Sequence, residues 1–303
     1  YPPLDTIRYS LGGAAKAHLV KSAGADYVGA SAGLYAPPTF PSMAKPAHIM
    51  RTVLRGGADP SESHDGTAMK GGSNEHAFWA ASADATVEAS IAPANALATL
   101  LESQLGHARM NRANVLDLAC GAGLYGFTLA LRNDGVNVTV LDQSNVIAKT
   151  RKWALEFGVA SRVKFVEGSV FEMEPPENAY DAIIVSHFLQ NFDYATNVKI
   201  LKTLAPSLKP NGLLVVHDYV RAPGLYSPWT TSQAVPLQQN FMLLLSTERG
   251  RTYTAEQLAA VFDDAGLFVI GMEEEYPLDS TFIYGARIPT EVKSERSYHN
   301  QVG

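Results

Sequence analysis

The stretch that decides the fold is Leu116-Asp117-Leu118-Ala119-Cys120-Gly121-Ala122-Gly123-Leu124-Tyr125-Gly126. The apolar run at 115–118 predicts a buried strand, and the apolar spacing at 125–132 predicts a helix directly after it. Between them, Gly121, Gly123 and Gly126 form the pattern G-x-G-x-x-G. Glycines at this spacing let the backbone turn tightly and let a ligand approach the N–H groups that begin the helix. The stretch therefore predicts a strand–turn–helix unit that binds a ligand.

The chain after this unit keeps alternating between strand and helix patterns. Strands are predicted at 138–142, 163–166, 180–185 and 213–216, with helices at 146–157 and 196–208 between them. A helix at 254–265 and strands at 268–272 and 281–286 close the pattern. Strands separated by helices of about 10–15 residues are typical of a parallel sheet covered on both faces. We predict an α/β fold with a Rossmann-like doubly wound sheet over residues 105–303.

Residues 1–104 differ from this pattern and predict a mainly helical first domain. Residues 36–75 carry several prolines and two Gly pairs, which is typical of loops. The apolar residues between 75 and 104 follow helical spacing, and Pro93 is expected to divide them into two helices. The chain opens at Tyr1 without a Met, so this first domain can be N-terminally incomplete.

The composition excludes several classes of protein. The 303 residues carry 24 Lys and Arg against 30 Asp and Glu, and a net charge of -6 predicts no basic surface for nucleic acid or an anionic membrane. The single cysteine, Cys120, excludes an intrachain disulfide and a cysteine-rich metal site. No metal is predicted, because Glu75-His76 and His217-Asp218 stand alone and 273–275 reads as a solvated face or turn. No apolar run is long enough to span a bilayer, and residues 1–20 lack a signal-peptide pattern, so we expect a cytoplasmic protein.

The ligand class depends on two carboxylates. Asp142 ends the next predicted strand, 19 positions after Gly123, where a carboxylate can accept hydrogen bonds from ribose hydroxyls. Dinucleotides and S-adenosylmethionine (SAM) both use this geometry. Asp117 lies inside the first strand, four residues before Gly121, where it would repel a pyrophosphate and attract an ammonium group. The pair favours SAM over NAD.

These residues resemble motif I of the class I SAM-dependent methyltransferases, and further segments resemble the caffeate and acetylserotonin O-methyltransferase type. Residues 186–193, Ser-His-Phe-Leu-Gln-Asn-Phe-Asp, are similar to the RHVLHDWxD segment of that type, with Gln190 and Asn191 in place of His and Asp. Residues 249–254 are similar to its GGRERT segment. The likeness covers residues 75–288 well and 1–74 loosely. It implies a winged-helix dimerisation domain before the Rossmann-like domain, and a homodimer formed through the N-terminal helices.

The resemblance also implies roles for cofactor-binding residues. Residues 168–171 stand where the family has GDFF, so Ser169 and Val170 are expected beside the adenine. Gln143, which follows the ribose acid, is expected beside the adenosine. Ser186 and His187 are expected near the methionyl end. The glycines 121, 123 and 126 and the carboxylates of Asp117 and Asp142 complete the expected SAM site.

The acceptor side departs from the family. Its plant members carry a general-base His just before the GGRERT-like segment, and Ser246 stands at that position here. The remaining candidates for a base are His217, after the fifth strand with Asp218 or Tyr219 to orient it, and His76 from the helical domain; His48 is a weaker one. An apolar acceptor pocket is predicted from these further residues: Phe78, Trp79, Phe188, Trp229, Asn240, Phe241 and Met242.

The sequence thus predicts a SAM-dependent methyltransferase for a small, aromatic secondary metabolite. O-methylation is expected first, and the missing His keeps C- and N-methylation open. A family member that binds SAM but catalyses a cyclisation or decarboxylation is the alternative. An NAD-dependent oxidoreductase is disfavoured by Asp117 and by the absence of a Tyr-x-x-x-Lys pair. A winged-helix regulator without activity is disfavoured by the net charge and the intact motif I.

Overall fold

The computed structural model describes residues 73–221, 234–275 and 280–287, and the side chains of all of these except 73–77, 234, 245, 246 and 275. The winged-helix region predicted within residues 1–72, together with His48 and Trp229, lies outside the described residues. The division into domains at residue 104 stays a prediction.

The described residues form a seven-stranded sheet in the order β3-β2-β1-β4-β5-β7-β6. The first five strands run parallel, whereas β7 pairs antiparallel with both β5 and β6. The strand order reverses between β1 and β4, and in open α/β sheets such a reversal opens a crevice at the carboxyl ends of the strands. This sheet confirms the predicted Rossmann-like fold. The strands are β1 (Asn114–Leu118), β2 (Asn137–Asp142), β3 (Val163–Glu167), β4 (Tyr180–Ser186), β5 (Leu208–Tyr219), β6 (Leu267–Glu275) and β7 (Ser280–Arg287).

Helices cover both faces of the sheet, because side chains alternate between the faces along each strand. On one face, Val115 and Ile184 pack against apolar residues of α2, α4 and α5, whereas on the other Leu116 and Ile183 pack against α6 and α8. Helix α1 lies against α5. The helices are α1 (Ser73–Ala85), α2 (Val87–Leu105), α3 (His107–Met110), α4 (Leu124–Arg132), α5 (Ser144–Glu156), α6 (Tyr194–Leu204), α7 (Ala234–Ser246) and α8 (Ala255–Asp264).

Pro93 does not divide the helical run as predicted: it lies buried inside α2, and the break falls at Thr86. A proline inside a helix costs about 3 kcal/mol because it removes a backbone hydrogen bond. The buried face of α2, which includes Leu97 and Leu101, offsets this cost by packing on α4. Tertiary packing has overridden the local rule.

Two other predicted boundaries shift for local reasons. The helix predicted at 196–208 ends at Leu204, because Pro206 in the following 3-10 turn cannot continue it, and β5 begins at Leu208. The acidic run at 273–275 belongs to strand β6 instead of a turn, and Glu273 and Glu274 are exposed there.

Candidate active site at the carboxyl edge of the sheet

A cavity of about 830 Å³ opens at the carboxyl ends of the parallel strands. Its walls come from the residues that follow β1, β2 and β4 and from the last residues of β5, with α1 and α7 on its sides. The crevice that the strand reversal predicts is therefore present, and its volume lies in the upper part of the range of small-molecule pockets, about 300–1,000 Å³.

The glycine turn after β1 has the backbone that the motif requires. Gly121 and Gly123 have φ angles of 54° and 84°, in the left-handed region. A Cβ on Gly123 would lie 2.5 Å from the Phe127 ring, whereas one on Gly121, which lines the cavity, would meet nothing within 4 Å. Gly123 is thus required for packing, and Gly121 leaves its side of the turn open to a ligand. Ala119 also has a positive φ, of 51°, although it carries a side chain.

The buried side chain of Asp117 stabilises this turn through a hydrogen bond. Its side chain is 1% exposed, and Oδ2 accepts a hydrogen bond from the N–H of Gly126 at 3.0 Å. Burial, with a smaller contribution from the charge of Asp142, raises the pKa of Asp117 to about 7. Asp117 is not among the residues that line the cavity, and its described contact is with the turn; the direct contact with an ammonium group expected from the sequence stays a prediction. Gly126 likewise acts through this hydrogen bond, since a Cβ there would lie 2.6 Å from Val138.

Asp142 lines the cavity at the end of β2, as predicted for a ribose-binding acid. Its Oδ2 accepts from the N–H of Gly121 at 2.9 Å and its Oδ1 from the N–H of Gln143 at 2.8 Å. Burial raises the pKa of Asp142, and the two N–H donors act in the opposite direction. The two hydrogen bonds fix the carboxylate at the cavity wall and tie the glycine turn to β2.

The corner of the cavity beside Asp142 has the character expected for an adenosine site. Val170 and Leu141 supply apolar walls, and Gln143 and Ser169 line the same corner. The buried Oε1 of Gln143 accepts no hydrogen bond from the described residues. The hydroxyl of Ser169 accepts from the N–H of Phe171 at 3.2 Å, so it also shapes the loop.

A histidine pair lies at the ends of β4 and β5. Ser186 aligns with His217 in the sheet register, and the N–H of His187 donates to the carbonyl of His217 at 2.7 Å. The two imidazole rings meet edge to face with centroids 4.6 Å apart. Ser186, His187 and His217 all line the cavity.

His217 has an environment that does not suit a general base. It is 0% exposed, stacks on Phe282 at 4.3 Å, and places Nδ1 2.9 Å from the hydroxyl of Tyr125. Burial lowers its pKa to about 3, so the ring stays neutral around pH 7 and binds a proton weakly. The other predicted base, His76, lies in α1, and its side chain is outside the described part of the chain.

Aromatic rings line the rest of the cavity. Phe78 and Trp79, on α1, meet at 5.0 Å in a T-shaped contact. Phe192 is in edge contact with Phe188 at 5.0 Å and with Phe171 at 5.4 Å. Of the aromatic residues predicted for the acceptor pocket, Phe78, Trp79 and Phe188 line the cavity together with Phe171 and Phe192, and that they bind an acceptor stays a prediction.

Of the three α7 residues predicted for the pocket, Met242 lines the cavity, whereas Asn240 and Phe241 do not. Asn240 accepts from the N–H and the hydroxyl of Thr252, at 3.0 and 3.2 Å, and Phe241 is 42% exposed. Neither lines the cavity; Gln239, Met242 and Leu243 do. The two residues that miss the cavity stand next to residues that line it, because successive residues of a helix point in directions about 100° apart. Ser246 ends α7, and its side chain is not among those described.

Asp84 connects helix α1, which lines one side of the cavity, to helix α5. The carboxylate of Asp84 accepts from Lys149 Nζ at 2.6 Å and from Trp153 Nε1 at 3.0 Å, both on α5. The sequence motifs do not include this contact. From the sequence, Phe78 and Trp79 of the same helix are predicted at the cavity, and Ser82 joins them one helical turn later.

Neither a metal-binding cluster nor a membrane-spanning helix occurs among the described residues. No group of three or more His, Cys, Asp and Glu side chains among them is placed to hold a metal ion. None of their helices combines the length and apolar character that crossing a bilayer requires.

Comparison with known proteins finds similarity to a methyltransferase family over much of the chain. A family model described as "Methyltransferase domain" matches residues 91–270. O-methyltransferase bik3 of Gibberella fujikuroi is 29% identical over 136 residues, which are 42% of this chain and 30% of that protein. Acetylserotonin O-methyltransferase of Mus musculus is 29% identical over 157 residues, which are 50% of this chain and 38% of that protein. The chain thus spans less than half the length of either curated relative.

A solved structure extends the likeness beyond the family match. A candidate O-methyltransferase from Nostoc punctiforme superposes with a TM-score of 0.75 at 25% identity, over 91% of this chain and 78% of that chain.

Proposed function

This chain belongs to the Methyltransferase domain family, and from that premise we propose that the protein transfers a methyl group from SAM to a hydroxyl group of a small aromatic metabolite. The observation that carries the proposal is the carboxylate of Asp142, fixed by two backbone N–H groups at the wall of an aromatic-lined cavity. A carboxylate held in this way presents its remaining lone pairs to the hydroxyls of a ribose.

The cavity corner around Asp142 fits an adenosine. Leu141 and Val170 match the apolar faces of adenine, and the unpartnered Oε1 of Gln143 matches an N–H or O–H donor. Gly121 leaves the turn open on its own side, so the backbone can approach a ligand closely. When bound here, SAM supplies a methyl group carried on a positively charged sulfur.

The chain contributes binding and orientation to the transfer. Asp142, Gln143, Ser169 and Val170 hold the adenosine, and Ser186 lies at the end of β4 toward the methionyl end. Asp117 acts indirectly, by holding the N–H of Gly126 and with it the shape of the turn. In-line transfer needs donor carbon and acceptor oxygen about 3–3.5 Å apart, and holding both in one cavity supplies much of the acceleration.

The aromatic walls support the choice of acceptor. Phe78 and Trp79 from α1 and Phe188 and Phe192 beyond β4 present ring faces and edges, which pack well against a flat aromatic ligand. Closure by α1 also excludes water from the reacting atoms. We further propose that the protein works as a cytoplasmic homodimer formed through its N-terminal helices, which light scattering of the purified protein would test.

The alternative, a SAM-binding enzyme that performs a cyclisation or decarboxylation, is favoured by one observation: Ser246 stands where plant-type relatives carry their general base. The test is incubation with SAM and a panel of phenols, catechols and naphthols, with mass spectrometry of acceptor and donor. We expect methylated product and S-adenosylhomocysteine in equal amounts. A changed acceptor with SAM left intact would select the alternative, and methylation on carbon or nitrogen alone would correct the acceptor atom.

A further inference from the structure

His187 lies in the half of the cavity that the proposed function leaves for the acceptor, and the inference that follows rests on that function. The ends of β1 and β2 carry the donor-binding turn and Asp142, so the ends of β4 and β5, on the other side of the strand reversal, face the remaining half of the cavity. His187 is the first residue after β4, and 31% of its side chain is exposed.

The backbone of His187 is held in an unusual conformation. Its φ of 48° lies in the left-handed region, which a residue with a side chain adopts only when its surroundings impose it. The N–H of His187 donates to the carbonyl of His217, and its own carbonyl accepts from the side-chain amides of Gln190 and Asn191, both at 3.3 Å. Strain of this kind is concentrated at functional sites, where it fixes the direction of a side chain.

A buried carboxylate stands behind the His187 ring. Nδ1 of His187 lies 3.8 Å from Oδ1 of Asp218, whose side chain is 3% exposed. Nδ1 itself is buried, so the exposed third of the side chain comes from its other atoms. At 3.8 Å the two groups are within ion-pair distance but are not hydrogen-bonded, so Asp218 can act on His187 by stabilising its protonated form through their charges.

We propose that His187 is the general base that removes the hydroxyl proton of the acceptor, and that Asp218 is its positioning residue. In the transfer, the acceptor O–H bond breaks and its proton passes to Nε2 of His187. The oxygen lone pair forms the O–CH3 bond as the C–S bond of the donor breaks and its electron pair stays on sulfur. The imidazolium then returns the proton to solvent, with Asp218 balancing its charge meanwhile.

The groups that face His187 determine the pH dependence. They are Asp218, His217 and Tyr219 on β5, with Tyr125 on α4 behind His217. Burial raises the pKa of Asp218 well above its usual range, and the hydrogen bond from the backbone N–H of Gln190 acts in the opposite direction. The active pair is the deprotonated one, and kcat should therefore rise with pH. The rise should move to lower pH in Asp218→Asn, because His187 then binds its proton less tightly.

The direct test is an NMR titration of the full chain labelled with ¹⁵N-histidine, with the His187 signal assigned by its loss in His187→Gln. In Asp218→Asn we expect the midpoint of the His187 titration to fall by about one pH unit or more, the usual effect of losing a neighbouring carboxylate. An unchanged midpoint would overturn the dyad. This result does not depend on any acceptor, so it separates failure of the dyad from failure of the proposed function.

The kinetic test uses a phenol that the wild type methylates and its more acidic nitro analogue. His187→Gln should lower kcat for the parent phenol about 100-fold or more and should affect the ionised nitrophenol far less. The matched control is His107→Gln, at an exposed histidine outside the cavity. Equal losses on both phenols, or no loss on either, would refute the base role.

Discussion

The hydrogen bonds of Asp142 lead to a prediction for the conservative change Asp142→Asn. Each carboxylate oxygen accepts a backbone N–H, from Gly121 at 2.9 Å and from Gln143 at 2.8 Å. In either orientation of the amide, the NH2 of Asn faces one of these N–H groups, so one hydrogen bond to a charged acceptor is lost and a donor is left unpaired. That loss is worth about 1.5–3 kcal/mol. Losing this hydrogen bond loosens the glycine turn that contains Gly121, which is the turn proposed to hold the ligand.

We therefore expect S-adenosylhomocysteine to bind Asp142→Asn roughly 10- to 150-fold more weakly, since about 1.4 kcal/mol is tenfold in affinity. Calorimetric titration of both proteins at one pH measures the ratio, and circular dichroism shows whether the variant is folded. Asp134→Asn, at an exposed aspartate outside the cavity, is the control and should bind as the wild type does. A folded Asp142→Asn with wild-type affinity would refute the reasoning.

Three further predictions concern stability and closure. Ala119→Gly should stabilise the protein by about 0.5–1 kcal/mol, because relief of the positive φ exceeds the entropy cost of glycine; a lower melting temperature would contradict it. Asp84→Ala removes the contacts to Lys149 and Trp153, which are partly exposed and together worth about 1 kcal/mol, so S-adenosylhomocysteine should dissociate roughly fivefold faster in stopped flow. Burial raises the pKa of Asp117 in the folded protein to about 7, above its value in the unfolded chain. Relative to Asp117→Asn, the wild type should therefore lose about 1.4 kcal/mol of unfolding free energy per pH unit as the pH rises from about 4 to about 7. If urea unfolding gave the same change of unfolding free energy with pH for the wild type and Asp117→Asn, the prediction for Asp117 would be contradicted.

The side of the cavity that we propose for SAM could be predicted from the sequence because its residues are close neighbours along the chain. Gly121 and Gly123 stand in one turn, and Asp142 ends the next strand, so spacing alone places them together. The likeness to acetylserotonin O-methyltransferase, inferred from short motifs, is confirmed by the mouse relative. The burial of Asp117 was not predictable, because it depends on how α4 packs over β1.

The acceptor half was predicted less well because it joins distant elements. The sequence assigns residues 240–242 to the pocket, but the rotation of α7, which places Met242 at the cavity and leaves Phe241 exposed, is set by packing against β5. The contact of His187 with Asp218 depends on the register of two strands. The continuity of α2 through Pro93 likewise depends on its buried face.

The central claim is that the corner around Asp142 binds the nucleoside of SAM, and a crystal structure with S-adenosylhomocysteine tests it most directly. The account predicts the ribose hydroxyls on the Asp142 carboxylate, the adenine against Val170, and the sulfur directed toward the end of β4. A nucleoside bound elsewhere in the cavity, with Asp142 still engaged only by Gly121 and Gln143, would contradict it.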